Sequence, residues 1–111
     1  MKIDNKTRLE HMLESAQDAV SFLGNMSEDD LATNKMVLNA IVRSVEIIGE
    51  AASQISQQYR DDHHNIPWIQ IIGMRNRLIH AYFDIDYEIV YNTVQKDLPS
   101  LIDQVKKLLF E

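Results

Sequence analysis

Arg75, Asn76, His80 and Tyr82 fall within the short stretch GMRNRLIHAYF. Each of these side chains can act on an anionic substrate. An imidazole titrates near neutrality, so His80 suits proton transfer. A guanidinium keeps its charge and presents a planar fork, so Arg75 suits phosphate oxygens and the charge that builds on them. Asn76 can orient either group by hydrogen bonding. Tyr82 can stack on a base or donate its hydroxyl to a phosphate.

Those residues need an element to hold them. The pattern predicts a helix from about Pro67, which suits a first helical turn, to about Tyr82. At 100° per residue, Ile71, Met74 and Leu78 fall on one side of Arg75 and Ile72 and Ile79 on the other. Arg75 then sits in the middle of an apolar arc. His80 lies about 140° round the helix, on a margin with Asn76 and Gly73. A guanidinium enters an interior only with partners. Two readings stay open: a buried ion pair with Glu46 or Glu50, or the wall of a cleft.

Helical spacing runs through most of the chain. Leu9, Met12, Leu13, Ala16, Ala19, Val20 and Leu23 mark a first helix, with Asp4 as its cap and Gly24 as its stop. Ser27 and Asp30 form a helix-start signal. A long second helix is expected from Thr33 to Gln58, with two apolar tracks. One runs Val37, Ile41, Ser44, Ile48, Ala51, Ile55, and the other Leu38, Val42, Val45, Gly49, Ala52. Two tracks imply burial on two sides, and a second copy of the chain is the expected cover for one of them. QQYRDDHHN reads as a linker in which His63 and His64 are solvated. Asp86 caps a fourth helix from Tyr87 to about Asp97, and Pro99 begins or kinks the last segment. The expected fold is all-α, an up-and-down bundle of four to five helices forming a single domain over residues 1–111.

Composition supports this. The chain has 111 residues, 45% hydrophobic and 25% charged, with three glycines and two prolines, too few for a loop-rich β fold. Cysteine is absent, which excludes thiolate metal sites and disulfides and fits a cytoplasmic location. MKIDNKTRLEHML has no apolar signal core, and no apolar run approaches the roughly 18 residues of a membrane span. The net charge of −6 argues against a general nucleic-acid binder. Its distribution is uneven: residues 63–83 hold Arg75, Arg77 and His80 without an acid, and residues 31–45 hold Lys35 and Arg43 without one. Such stretches are either a local basic surface or simply buried.

Arg75, four residues, His80, one residue, Tyr82 resembles the Arg-x4-His-x-Tyr signature of HepT-like toxins, small all-helical ribonucleases of the HEPN superfamily. EIIGEAASQIS, IPWIQIIGMRNRLIHAYF and DYEIVYNTVQKDLPSLI resemble that family in the same order, from about residue 33 onward. The resemblance implies an HEPN-like homodimer whose two motifs meet across the interface, with Arg75 and His80 catalytic and Asn76 supporting. It implies metal-independent cleavage of RNA, with no metal site and no cofactor. It also implies a nucleotidyltransferase antitoxin as partner, which attaches AMP to the motif tyrosine, here Tyr82.

Metal-free RNA cleavage requires a proton taken from the 2′-hydroxyl, a proton given to the leaving 5′-oxygen, and stabilised phosphoryl charge. A two-fold dimer supplies two histidines, one for each transfer. Arg77, Arg43 and Lys35 are candidate RNA contacts, each equally readable as a solvated surface charge. His80, Asp84 and Asp86 as a metal site is the weaker reading beside a cap and a turn. Gly49 and Gly73 are expected where helices approach closely. Trp68 is expected in the core. The rival function is a catalytically silent helical dimer that serves a nucleotidyltransferase as binding subunit.

Overall fold

The first long helix, α1 (Asn5–Leu23), starts where expected: the Asp4 carboxylate accepts the Thr7 N–H at 2.8 Å. It stops at Gly24, whose φ of 54° suits a residue without a Cβ. The computed structural model describes residues 4–81 and 84–110, with backbone only at His80 and Ala81. Ser27 and Asp30 form a reciprocal capping box and open a separate short helix, α2 (Glu28–Ala32). The Asn34 side chain then caps α3 (Lys35–Gln54).

α3 is the axis of the molecule, packed on α1 along one side and on the segments carrying the motif along another. Asn5 at the start of α1 exchanges two hydrogen bonds with Ser56 just past the end of α3, so the two helices run antiparallel. α1 also packs on the last helix, α8 (Leu98–Phe110). Both tracks of α3 are covered within this one chain: Leu38, Val42, Val45 and Ala52 are buried, as are Ile41 and Ile48. The second track therefore gives no argument for a second chain. With short segments wrapped around it, α3 needs no partner subunit to bury two sides.

The expected second helix ends earlier than its pattern suggested. Ile55 is extended and buried, which swings the chain away, and Ser56 caps a new helix, α4 (Gln57–Asp62). This segment read as a linker because it lacks an apolar period. It is helical because Gln57 and Gln58 donate to Asp61 and Asp62 one turn on, at 2.8 and 3.0 Å. His63 is not a solvated residue: its ring stacks on Tyr59, with centroids 4.1 Å apart, and its Nδ1 lies 2.9 Å from the Tyr59 carbonyl. Trp68 is in the core as expected, with its indole N–H donating to the His63 carbonyl.

The third expected helix differs most. It divides into α5 (Trp68–Ile72) and α6 (Met74–Leu78), interrupted at Gly73. Pro67 precedes α5 as its cap. After Leu78 the chain turns extended and forms a two-stranded antiparallel ribbon, β1 (Ile79–Ala81) with β2 (Asp84–Ile85). The Asp86 carboxylate then caps α7 (Tyr87–Asn92), as the sequence indicated. A widened π-helical turn at Thr93–Asp97 joins α7 to α8. Pro99 accounts for the widening, since its ring would clash with the carbonyl four residues back in a regular helix. The fold is all-α with this one small ribbon among the described residues. No described helix is long and apolar enough to cross a membrane.

Candidate active site

α6 carries the start of the motif, with Arg75, Asn76 and Arg77 as consecutive side chains. Met74 and Leu78 face the core and are 3% and 0% exposed. At 100° per residue the direction opposite them belongs to Asn76, which is exposed, with Arg75 on one flank and Arg77 on the other. Arg75 is therefore not centred in an apolar arc. That placement assumed one continuous helix, and the break at Gly73 removes Ile71 and Ile72 from the wheel just as the end at Leu78 removes Ile79.

The flank carrying Arg75 lies against α3. Its guanidinium Nε stands 3.8 Å from the Glu46 carboxylate, and the two side chains are 43% and 38% exposed. This is a loose surface pair, not the buried one that was one of two expectations. Glu50 is not its partner; it borders a small cleft with Arg8 and His11. Gly49 explains how α5 and α6 come so near α3. A Cβ there would stand 3.0 Å from the Ile72 carbonyl oxygen, so glycine lets the backbone of α5 lie on α3 without displacing that carbonyl. Gly73 has no such neighbour: a Cβ there would meet only the Ile69 carbonyl, at 3.4 Å, and the residue lies between α5 and α6.

His80 is on the ribbon rather than on a helix margin beside Asn76. Ile79 pairs with Ile85 and Ala81 with Asp84, so the register slips by one residue and the backbone of His80 falls in that irregularity. The Leu78 carbonyl accepts the Asp86 N–H at 2.8 Å, which ties the base of the ribbon to the end of α6. The ribbon backbone, not helical spacing, sets the relation of His80 to Arg75. No periodicity argument could have found it, because a two-stranded ribbon this short leaves no alternation to read. Tyr82 lies outside the described residues.

The other candidate cations separate. Lys35 and Arg43 are exposed on α3, and Lys35 borders a cleft with Asn39, Asp84 and Tyr87 at the foot of the ribbon. Arg77 points away from Arg75 into a groove shared with Lys96 of the π-helical turn, a residue the sequence did not single out.

A family model described as Ribonuclease HepT-like matches residues 12–108. The chain belongs to the HepT-like ribonuclease family. Membership in this HEPN-superfamily group agrees with the motif and with the helical fold around it. A relative from Caldanaerobacter subterraneus subsp. tengcongensis, named "Putative RNase TTE0752", is 39% identical over 101 residues, covering 91% of this chain and 90% of that protein. "Putative RNase MJ1380" of Methanocaldococcus jannaschii is 39% identical over 105 residues, covering 95% and 96%. "Probable ribonuclease HepT" of Thermococcus cleftensis is 36% identical over 108 residues, covering 97% and 98%. No solved structure matches the chain at a significant level.

Proposed function

We propose that this protein is a metal-independent endoribonuclease, the toxin of a type VII toxin–antitoxin pair, acting in the cytoplasm as a homodimer. The observation that carries this reading is the state of Arg75 in a member of a ribonuclease family. Its guanidinium is half-exposed and held loosely by one carboxylate, so it can exchange that partner for a phosphate.

In the reaction, one His80 takes the proton of the 2′-hydroxyl. The 2′-oxygen bonds to phosphorus while the bond from phosphorus to the 5′-oxygen breaks. The second protomer's His80 protonates that 5′-oxygen. The products are a 2′,3′-cyclic phosphate and a free 5′-hydroxyl. Arg75 stabilises the charge on the phosphoryl oxygens, and loss of one such charge-stabilising donor typically costs about 100- to 1,000-fold in rate. Asn76, exposed beside Arg75, orients the substrate or the imidazole.

The antitoxin is a nucleotidyltransferase. It transfers AMP from ATP to the Tyr82 phenol, forming the oxygen–phosphorus bond and releasing pyrophosphate. The added bulk and negative charge then exclude RNA. The test is cleavage of RNA by purified protein in excess chelator, comparing wild type with Arg75→Ala and His80→Ala. Activity in the wild type alone supports the reading, and equal residual activity in all three refutes it. If protein carrying AMP on Tyr82 still bound and cut RNA normally, the regulatory half would fall.

A further inference from the structure

We propose that the groove on the far side of α6 from Arg75 is a second RNA-binding site, which holds the strand next to the cleaved phosphate. This rests on the ribonuclease reading and adds a substrate path to it. The groove has a volume of about 530 Å³ and lies between α5–α6 and the junction of the π-helical turn with α8. Its walls carry Arg77 and Lys96 against one acid, Asp97, and Ile71, Met74 and Leu101 form an apolar floor. On a protein of net charge −6, two cations over an apolar floor suit a ligand that is both anionic and aromatic.

Continuity with the candidate active site decides the occupant. Arg75 and Arg77 are two residues apart and so about 200° apart around α6, with the exposed Asn76 between them. A strand whose scissile phosphate meets Arg75 can cross the Asn76 face and place a later phosphate on Arg77. The next base then lies over the groove, between Arg77 on one wall and Lys96 on the other. Single-stranded nucleic acid is bound in this way, by cations tracking the backbone and bases on apolar surfaces. The backbones of Arg75 and Arg77 sit on one short helix, so the two sites keep a fixed spacing.

The experiment measures binding of a fluorescently labelled single-stranded RNA of about ten nucleotides. It uses the full chain carrying His80→Ala, so that nothing is cut, over a range of salt concentrations. Compared with this parent are Arg77→Gln, Lys96→Gln, the double variant, and the charge-keeping Arg77→Lys with Lys96→Arg. Each neutral substitution is expected to weaken binding several-fold and to make the salt dependence of log affinity shallower by about 0.7, or about 1.4 for the pair. The charge-keeping variant should retain most of the parent's affinity. Both residues are exposed, so thermal unfolding should not change, which separates a binding effect from a folding one. Unchanged affinity and salt slope in the double variant would overturn the proposal. So would a double variant that keeps its RNA affinity but loses its nucleotidyltransferase partner, since the groove would then be a protein contact. Cleavage by the wild-type chain is scored separately: a protein that cuts RNA yet ignores these substitutions refutes the groove and leaves the ribonuclease reading standing.

Discussion

Glu46→Gln should leave the fold intact and tighten RNA binding. Arg75 Nε and the Glu46 carboxylate are 3.8 Å apart. Opposite charges at that distance attract by about 1 kcal/mol in bulk water and about 4 kcal/mol at an effective dielectric of 20. Both side chains are close to 40% exposed, so solvent screening brings the net value to roughly 0–1 kcal/mol. Denaturant unfolding of Glu46→Gln should therefore show a loss of less than about 1 kcal/mol. A phosphate approaching Arg75 must compete with that same carboxylate. Removing the competitor returns at most about 1 kcal/mol to RNA binding, an increase of up to about fivefold in affinity. The increase should shrink as salt is added. The assay is anisotropy of a labelled RNA titrated with His80→Ala protein, with and without Glu46→Gln. A loss of stability above about 2 kcal/mol, or weaker RNA binding, would refute the argument, because Glu46 would then be fixing Arg75 rather than competing for it.

Other substitutions probe how the site is supported. Gly49→Ala adds a Cβ 3.0 Å from the Ile72 carbonyl oxygen, so overpacking of about 1–3 kcal/mol opposes a helix-propensity gain near 1 kcal/mol. Net destabilisation is expected in denaturant unfolding, together with reduced RNA cleavage as α5 and α6 lift from α3. Leu78→Ala, at a fully buried position at the end of α6, should cost about 2–5 kcal/mol in the same measurement. Ser27→Ala breaks the capping box of α2 and should cost about 1 kcal/mol in that measurement. The Thr7 backbone N–H, then the Thr7 side chain, hold the Asp4 carboxyl below its ordinary 3.8, against a small opposing effect of burial and with help from Lys6. A lowered carboxyl pKa stabilises the fold above the unfolded value and loses that contribution as pH falls through the folded one. Unfolding of Asp4→Ala should accordingly differ from wild type at neutral pH and converge with it in acid below pH 3.8.

The sequence alone determined several features set by near neighbours, though α4, held by bonds one turn apart, read as a linker. Asp4, Ser27 and Asp86 cap helices because each places an oxygen within reach of the N–H three residues on, whatever the rest of the chain does. The apolar periods of α1 and α8 settled which faces are buried, and the motif from Arg75 to Tyr82 pointed to the HepT-like family that the comparison over residues 12–108 then gave. Gly49 was legible as a close approach because a glycine inside a helix has a cost that packing must offset. Only the tertiary structure decided the rest. Arg75 looked buried on an ideal helical wheel, and it is half-exposed because α6 is one short turn between Gly73 and a ribbon. Both tracks of α3 were assigned to different partners, yet one chain covers them, since short segments distant in sequence wrap the same helix. The groove joining Arg77 to Lys96 unites residues on opposite sides of the ribbon, and no local spacing encodes it. Local hydrogen bonds depend on residues a turn apart and can be read along the chain. Exposure, pairing and grooves depend on which distant segments meet, and that is settled only when the whole core closes.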